Sequence, residues 1–184
     1  MVTAADYDAL AKAVKSGGLI KLGADVDARA PLTFGGDAHL DLAGKTLNNT
    51  SDIWAGNDWS LISAQNGVDV VIDGNGTVQA KENDCFAVDV QDGSAVTIKS
   101  GTFVGNIHAV YVYEGTAIIK GGTYSVQQKY SDASKADEFV LNCYDSSYKN
   151  GTAKIVVKGG TFINFNPADC QAEGAHTNFV ADGY

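Results

Sequence analysis

Proline occurs only twice in this chain, methionine once and arginine once. Scarce proline leaves nearly every residue with a backbone donor, which suits a chain made mostly of strands. With Arg29 the sole arginine and a net charge of −9, the basic patches that nucleic-acid binding requires are missing. An anionic polysaccharide substrate is disfavoured for the same reason. No run approaches 18 apolar residues, and no apolar leader follows Met1. No membrane span and no secretion signal is therefore expected, and synthesis in the cytoplasm is. The three cysteines, Cys85, Cys143 and Cys170, cannot all pair internally, and no C-x-x-C spacing points to zinc. His39, His108 and His176 are scattered. Nucleophile-elbow, phosphate-loop and dinucleotide motifs are all absent. No catalytic residue, metal or cofactor is expected.

What the chain does have is glycine, 21 residues of it, and a repeat. Residues 70–78 read VVIDGNGTV, 96–103 VTIKSGTF, 117–124 AIIKGGTY and 155–162 IVVKGGTF. Residues 40–47, LDLAGKTL, are a divergent earlier copy. To the left of each lies a second repeating segment: SLISAQNG at 60–67, FAVDVQDG at 86–93, HAVYVYEG at 108–115 and FVLNCYD at 139–145. Each unit therefore holds a strand, a Gly turn, a second strand, a second Gly turn and a short third strand. A supersecondary unit that recurs this way builds a solenoid, here a parallel β-helix with coils about 4.8 Å apart. The length fits one domain. The alternation places Val88, Val90, Val96, Ile98 and Phe103 inside, and Asp89, Gln91, Thr97 and Lys99 outside. Cys143 aligns with Val90 and Val112 and is expected in the core. His108 aligns with Phe86 and Phe139, inward or at a coil corner.

Three segments depart from the repeat. Residues 3–15 read as a helix capped by Thr3, with Tyr7, Leu10, Ala11 and Val14 on one face and Gly17–Gly18 as the stop. It is suited to plug the open apolar end of a solenoid, or else to dock on a partner. Polar loops are expected at 48–59, which carries Trp54 and Trp59, at 79–85, at 125–138 and, as a widened turn, at 146–153. The tail, 164–184, does not repeat and holds Phe165, Phe179 and Tyr184 among polar residues. The expected organisation is a capping helix at 1–17, a parallel β-helix at 18–163 and the tail at 164–184.

The segments GGLIKLGADV, LTFGG and LDLAGKTL after the first helix resemble the N-terminal part of right-handed parallel β-helix proteins of the pectate-lyase-like superfamily. The copies of I-x-G-G-T-F/Y extend the resemblance. The tail GGTFINFNPADCQAEGAHTNFVADGY is similar to the ends of β-helical segments in proteins of gut bacteria and their bacteriophages, in virion fibres, spikes and decoration proteins. The resemblance implies an all-β, right-handed parallel β-helix of about five to six coils with an N-terminal capping α-helix. Hydrolases of that superfamily carry an Asn-Thr-Asp motif, an Asp pair, a Gly-His-Gly and an Arg-x-Lys. None stands here as a set, so no catalytic residue is carried over.

Aligning the units places Ser63, Asp89, Tyr111 and Asn142 in one outward column and Gln65, Gln91, Tyr113 and Tyr144 in the next. Tyr111, Tyr113 and Tyr144 are thus expected on one outer face, and clustered exposed aromatics mark contact surfaces. Three roles stay open: a subunit interface, a saccharide-stacking platform, or packing under the 125–138 loop. Trp54 and Trp59 are expected to form a lid or a partner contact. Phe165, Phe179 and Tyr184 are expected to form a docking tail. Asp69 and Asp73 on one coil and Asp89 and Asp92 on the next admit a carboxylate pair for glycoside hydrolysis, although outward carboxylates equally keep a sheet soluble. The sequence points to a non-enzymatic structural or binding protein, a bacteriophage virion component (capsid decoration, or head or tail fibre). Its expected partners are itself, as a homotrimer, other virion proteins and a host surface glycan. The alternatives are a lyase or hydrolase of the same fold and a bacterial surface adhesin.

Overall fold

The computed structural model describes every residue except 55, 57, 58, 83, 84, 130 and 133, so parts of the loops expected at 48–59, 79–85 and 125–138 lie outside the described residues. The chain opens with strand β1 (Val2–Ala4) and helix α1 (Tyr7–Ser16). It then visits three sheets in rotation. β2 (Gly18–Leu22), β3 (Val26–Asp27) and β4 (Leu32–Phe34) are followed by β5 (Ala38–Asp41), β6 (Thr46–Asn48) and β7 (Ser60–Ala64). β8 (Asp69–Asp73), β9 (Thr77–Gln79) and β10 (Phe86–Val90) lead to β11 (Ser94–Ile98), β12 (Thr102–Gly105) and β13 (Val110–Val112). Last come β14 (Gly115–Ile119), β15 (Thr123–Val126), β16 (Leu141–Cys143), helix α2 (Asp145–Asn150), β17 (Ala153–Val157) and β18 (Thr161–Phe162).

Every third strand joins the same sheet. The seven-stranded sheet runs β1-β2-β5-β8-β11-β14-β17, the six-stranded sheet β3-β6-β9-β12-β15-β18 and the five-stranded sheet β4-β7-β10-β13-β16. All pairings between these strands are parallel. The protein is therefore all-β and solenoid-like. The repeated segments supply these strands, and alternation sends one face of each inward. Ile20, Leu40, Ile72, Ile98, Ile119 and Val157 stack in register inside the seven-stranded sheet and are buried. Such burial stabilises by about 1.5–3 kcal/mol per side chain. Val88, Val90, Val96, Ile98 and Phe103 are buried as the pattern requires, and so is Cys143. All three cysteines are free and buried, and burial pushes the thiols of Cys85 and Cys143 well above their ordinary range.

The ends differ from the sequence expectation. Residues 2–4 are strand rather than helix, pairing Val2 with Ile20 and Ala4 with Leu22. Asp6, not Thr3, caps α1, accepting from the Ala9 N–H at 2.8 Å. The reason is competition: β2 has an open edge, and β1 fills its hydrogen bonds, which one more helical turn does not. Gly17 stops the helix as expected, at φ 76°. Leu10 and Val14 are buried, and α1 packs against β2 and β4. The segment 146–153 holds helix α2 instead of a plain turn. Its sequence, DSSYKN, has no buried face that periodicity detects.

The tail is non-repeating, but it is not a free docking arm. Phe165 and Phe179 are buried in the core, and only Tyr184, 72% exposed, is presented to solvent. A segment that breaks the repeat has a use at the solenoid's end, where the last strands lack neighbours. Val157 donates to the Phe179 carbonyl at 2.8 Å and accepts from the Ala181 N–H at 2.9 Å. The Glu173 carboxylate accepts from the Cys143 N–H at 2.6 Å. Burial raises the Glu173 carboxyl above its usual range, against the opposing pull of that hydrogen bond.

Candidate functional site

The outer face of the five-stranded sheet carries the candidate site. Pairing aligns Ser63 with Asp89, Asp89 with Tyr111 and Tyr111 with Asn142, the column read from the sequence. The next column is also in register, since Gln91 donates to Ala64, Tyr113 to Val90 and Tyr144 to Val112 through backbone bonds of 2.8–2.9 Å. Tyr113 and Tyr144 are stacked with centroids 4.7 Å apart and remain 43% and 40% exposed. Two aromatic rings held together yet open to solvent form a flat apolar platform.

Tyr111 does not share that platform. It is half-buried, with Phe86 at 4.9 Å and the His108 ring at 5.0 Å. The alternation points it outward, but the aromatic column of Phe86, His108 and Phe139 beside it covers part of the ring. Trp59 is 43% exposed and Trp54 stacks on it at 6.2 Å. The two tryptophans of the loop thus support each other, and Trp59 borders the same hollow as the tyrosines.

That hollow is an open groove of about 820 Å³. Trp59, Phe86, Tyr111, Tyr113 and Tyr144 supply its aromatic surface, and Asp89, Gln91, Asn142 and Asp145 its polar one. Among the described residues, no lysine or arginine lines it. Asp89 was expected in solvent; it is 1% exposed, on the groove floor. It accepts a hydrogen bond from the Gln91 side-chain amide. Burial, reinforced by the Asp89 charge, pushes the Tyr111 hydroxyl above its ordinary range. Asp145 enters at the start of α2, an element the sequence did not disclose. Neither Asp145 nor Phe86 was singled out for a binding role from the sequence, although the alignment of Phe86 with His108 already signalled an aromatic column. Among the described residues, no group of three or more His, Cys, Asp or Glu side chains gathers to hold a metal ion. No described helix is long and apolar enough to cross a membrane.

His108 anchors the floor. Its Nδ1–H donates to the Phe139 carbonyl at 2.8 Å, which fixes the neutral tautomer and leaves Nε2 as the acceptor. Burial pulls the imidazole from 6.5 down to about 4, against the opposing effect of that hydrogen bond. Between those two values the unfolded chain takes up a proton that the folded chain refuses. The contribution is complete above pH 6.5 and lost as pH falls toward 4, up to about 3 kcal/mol. Urea melts across that window should show this acid sensitivity, and His108→Gln should flatten it. An unchanged slope in the variant would assign the acid sensitivity to other groups.

Comparison with known proteins finds no matching family model, no matching curated protein and no matching solved structure. Fold and groove together define the class: an all-β solenoid of parallel strands with an open aromatic groove on one outer face.

Proposed function

We propose that this chain is a non-enzymatic binding module, a component of a bacteriophage virion such as a capsid decoration or fibre protein, and that its groove takes a glycan. The reading includes a right-handed solenoid, because parallel crossovers strongly favour that hand. It counts five full circuits and a partial sixth, with β1 and α1 closing the first end. The virion assignment draws on the repeat and tail resemblance and on the lack of a recognisable catalytic set. The glycan assignment draws on one observation above all: the exposed Tyr113–Tyr144 stack beside a floor of Asp89, Gln91 and Asn142. Sugar rings present apolar C–H faces to aromatics and hydroxyls to carboxylates and amides. Acid groups and the absence of a lining cation favour neutral or amino sugars over uronic or sialic acids.

The test is titration of a panel of neutral, amino-substituted and acidic oligosaccharides. Binding within the first two classes is expected. The Tyr113→Ala/Tyr144→Ala double variant should weaken it by roughly 30-fold, about 2 kcal/mol, with an unchanged melting temperature. No binding to either class, or equal binding by the variant, rejects the reading.

A hydrolytic reading has one observation in its favour: Asp89 and Asp145 both line the groove, and glycosidases flank the scissile bond with two carboxylates. Release of reducing ends from the bound oligosaccharide, abolished in Asp145→Asn, would move the assignment to an enzyme.

A further inference from the structure

The outer face of the seven-stranded sheet carries a charge pattern that neither the groove nor the solenoid explains. Its outward positions fall into three columns set by the strand register. The central column, Leu19, His39, Val71, Thr97, Ile118 and Val156, is mainly apolar. Leu19 is 58% exposed, while Val71, Ile118 and Val156 are half-buried.

From β5 to β17 the flanking columns are segregated by sign. One flank opens with Lys21 on β2, which pairs with Asp41; Asp41 pairs with Asp73, and Lys99, Lys120 and Lys158 continue the column on the following strands, each donating its backbone N–H to the strand before. On the other flank Asp69 pairs with Ala95, Ala95 with Thr116 and Thr116 with Lys154. Asp37 adjoins Asp69, whose N–H it accepts at 2.8 Å. The outward flanks of β5 and β8 are thus all aspartate. Those of β11, β14 and β17 carry lysine and no acid.

Stacking lysines one strand spacing apart costs repulsion, about 4.8 Å being well inside a Debye length. Lys99, Lys120, Lys154 and Lys158 are exposed, and among the described residues none forms an ion pair. Lys158 lies over the Tyr184 ring, 5.8 Å from its centroid. Of the aspartates, Asp73 has His39 at 2.8 Å. From β5 to β17, with Lys21 of β2 lying outside it, the face is acidic at one end, basic at the other and apolar between, and this part is complementary to itself turned end over end.

We propose that this sheet face binds a second copy of the chain, through a two-fold axis lying along β11. That operation reverses the coil order of one copy over the other. It sets Asp37, Asp41 and Asp73 of one copy against Lys154, Lys158 and Lys120 of the second, and every such contact occurs twice. Val71 meets Ile118 in the middle. Only Lys99, on the axis strand, meets its own mate, whereas parallel alignment of two copies sets the basic end on the basic end. The proposal is independent of the glycan reading, since the groove lies on a different sheet. It departs from the three-fold assembly expected from the sequence.

From β5 to β17 the face covers four strand spacings, about 19 Å, by about 16 Å along each strand. That is less than a tight dimer buries, so the association is weak and salt-sensitive. Sedimentation equilibrium at chain concentrations up to about 0.5 mM, high enough for a small interface, tests it. A monomer–dimer equilibrium is expected in about 0.05 M salt and should weaken by about tenfold in about 0.5 M. Lys120→Glu and Asp73→Lys should each weaken self-association by at least about tenfold, and an equimolar mixture of the two variants should recover a heterodimer. Circular dichroism melts confirm that both variants fold. A monomer under all conditions, a trimer, or a dimer indifferent to both substitutions overturns the proposal. Glycan titration of the same samples reports on the groove separately.

Discussion

Phe103→Ala is expected to lower unfolding stability by about 3–5 kcal/mol, the range for emptying a buried aromatic site. Phe103 is fully buried, as is Tyr124, and their rings stack at 5.4 Å and 12°. Tyr124 then stacks on Phe162 at 5.1 Å and 15°. Removing the first ring leaves a cavity between coils whose walls are strands, and strands held on both sides relax little. The same ladder explains the Gly-Thr-aromatic signature. Gly101 and Gly122 sit at φ 115° and 96°, and a Cβ added there comes within 3.1 Å of the Phe103 and Tyr124 side chains respectively. The ring lies over its own turn, so that turn admits no side chain. Phe162→Ala serves as the comparison. Phe162 is only half-buried at the end of the ladder, so its loss should cost about 1–2 kcal/mol. Urea unfolding of both variants measures the gradient, and equal costs would show that the ladder is not the reason.

Gly105→Ala is expected to cost about 3 kcal/mol or more, through backbone rather than through a cavity. A Cβ at residue 105 falls 1.6 Å from the His108 carbonyl oxygen and 2.3 Å from its carbon. The clash is with main chain, so no rotamer change relieves it. Residues 105–108 carry the chain from β12 to β13, and the Gly105 carbonyl also accepts from Gln127 at 2.9 Å. The tight reversal must open, and His108 moves with it. Since His108 packs against Phe86 and Tyr111, the groove floor shifts too. The variant should therefore melt earlier, and under the proposed glycan reading it should bind oligosaccharide more weakly. Full stability in this variant would mean that the reversal relaxes freely.

The strands and their register were legible in the sequence because a coil repeats its chemistry. Val90, Val112 and Cys143 fall in one column, and so do Asp89, Tyr111 and Asn142, since each coil buries the same positions. What one coil cannot report is what its neighbours lay on top of it. Asp89 alternates outward yet is buried, and Tyr111 alternates outward yet is half covered, because bulky side chains in the adjacent column crowd them. Phe165 and Phe179 look like an apolar docking arm in a polar tail; only the open end of the solenoid shows where they go. Asp145 and α2 were illegible because DSSYKN has a single apolar contact, Tyr148 against Phe179, and leaves no period to read.

The tail's contacts with the last strands carry one more consequence. The Phe179 carbonyl, the Ala181 N–H and the Glu173 carboxylate occupy backbone groups of β16 and β17 that a further coil would need. An unpaired strand edge is a template on which like strands add without limit. Here the chain itself occupies part of that template, at Val157 and Cys143. Addition of further strands to β16 and β17 at this end must first displace the tail.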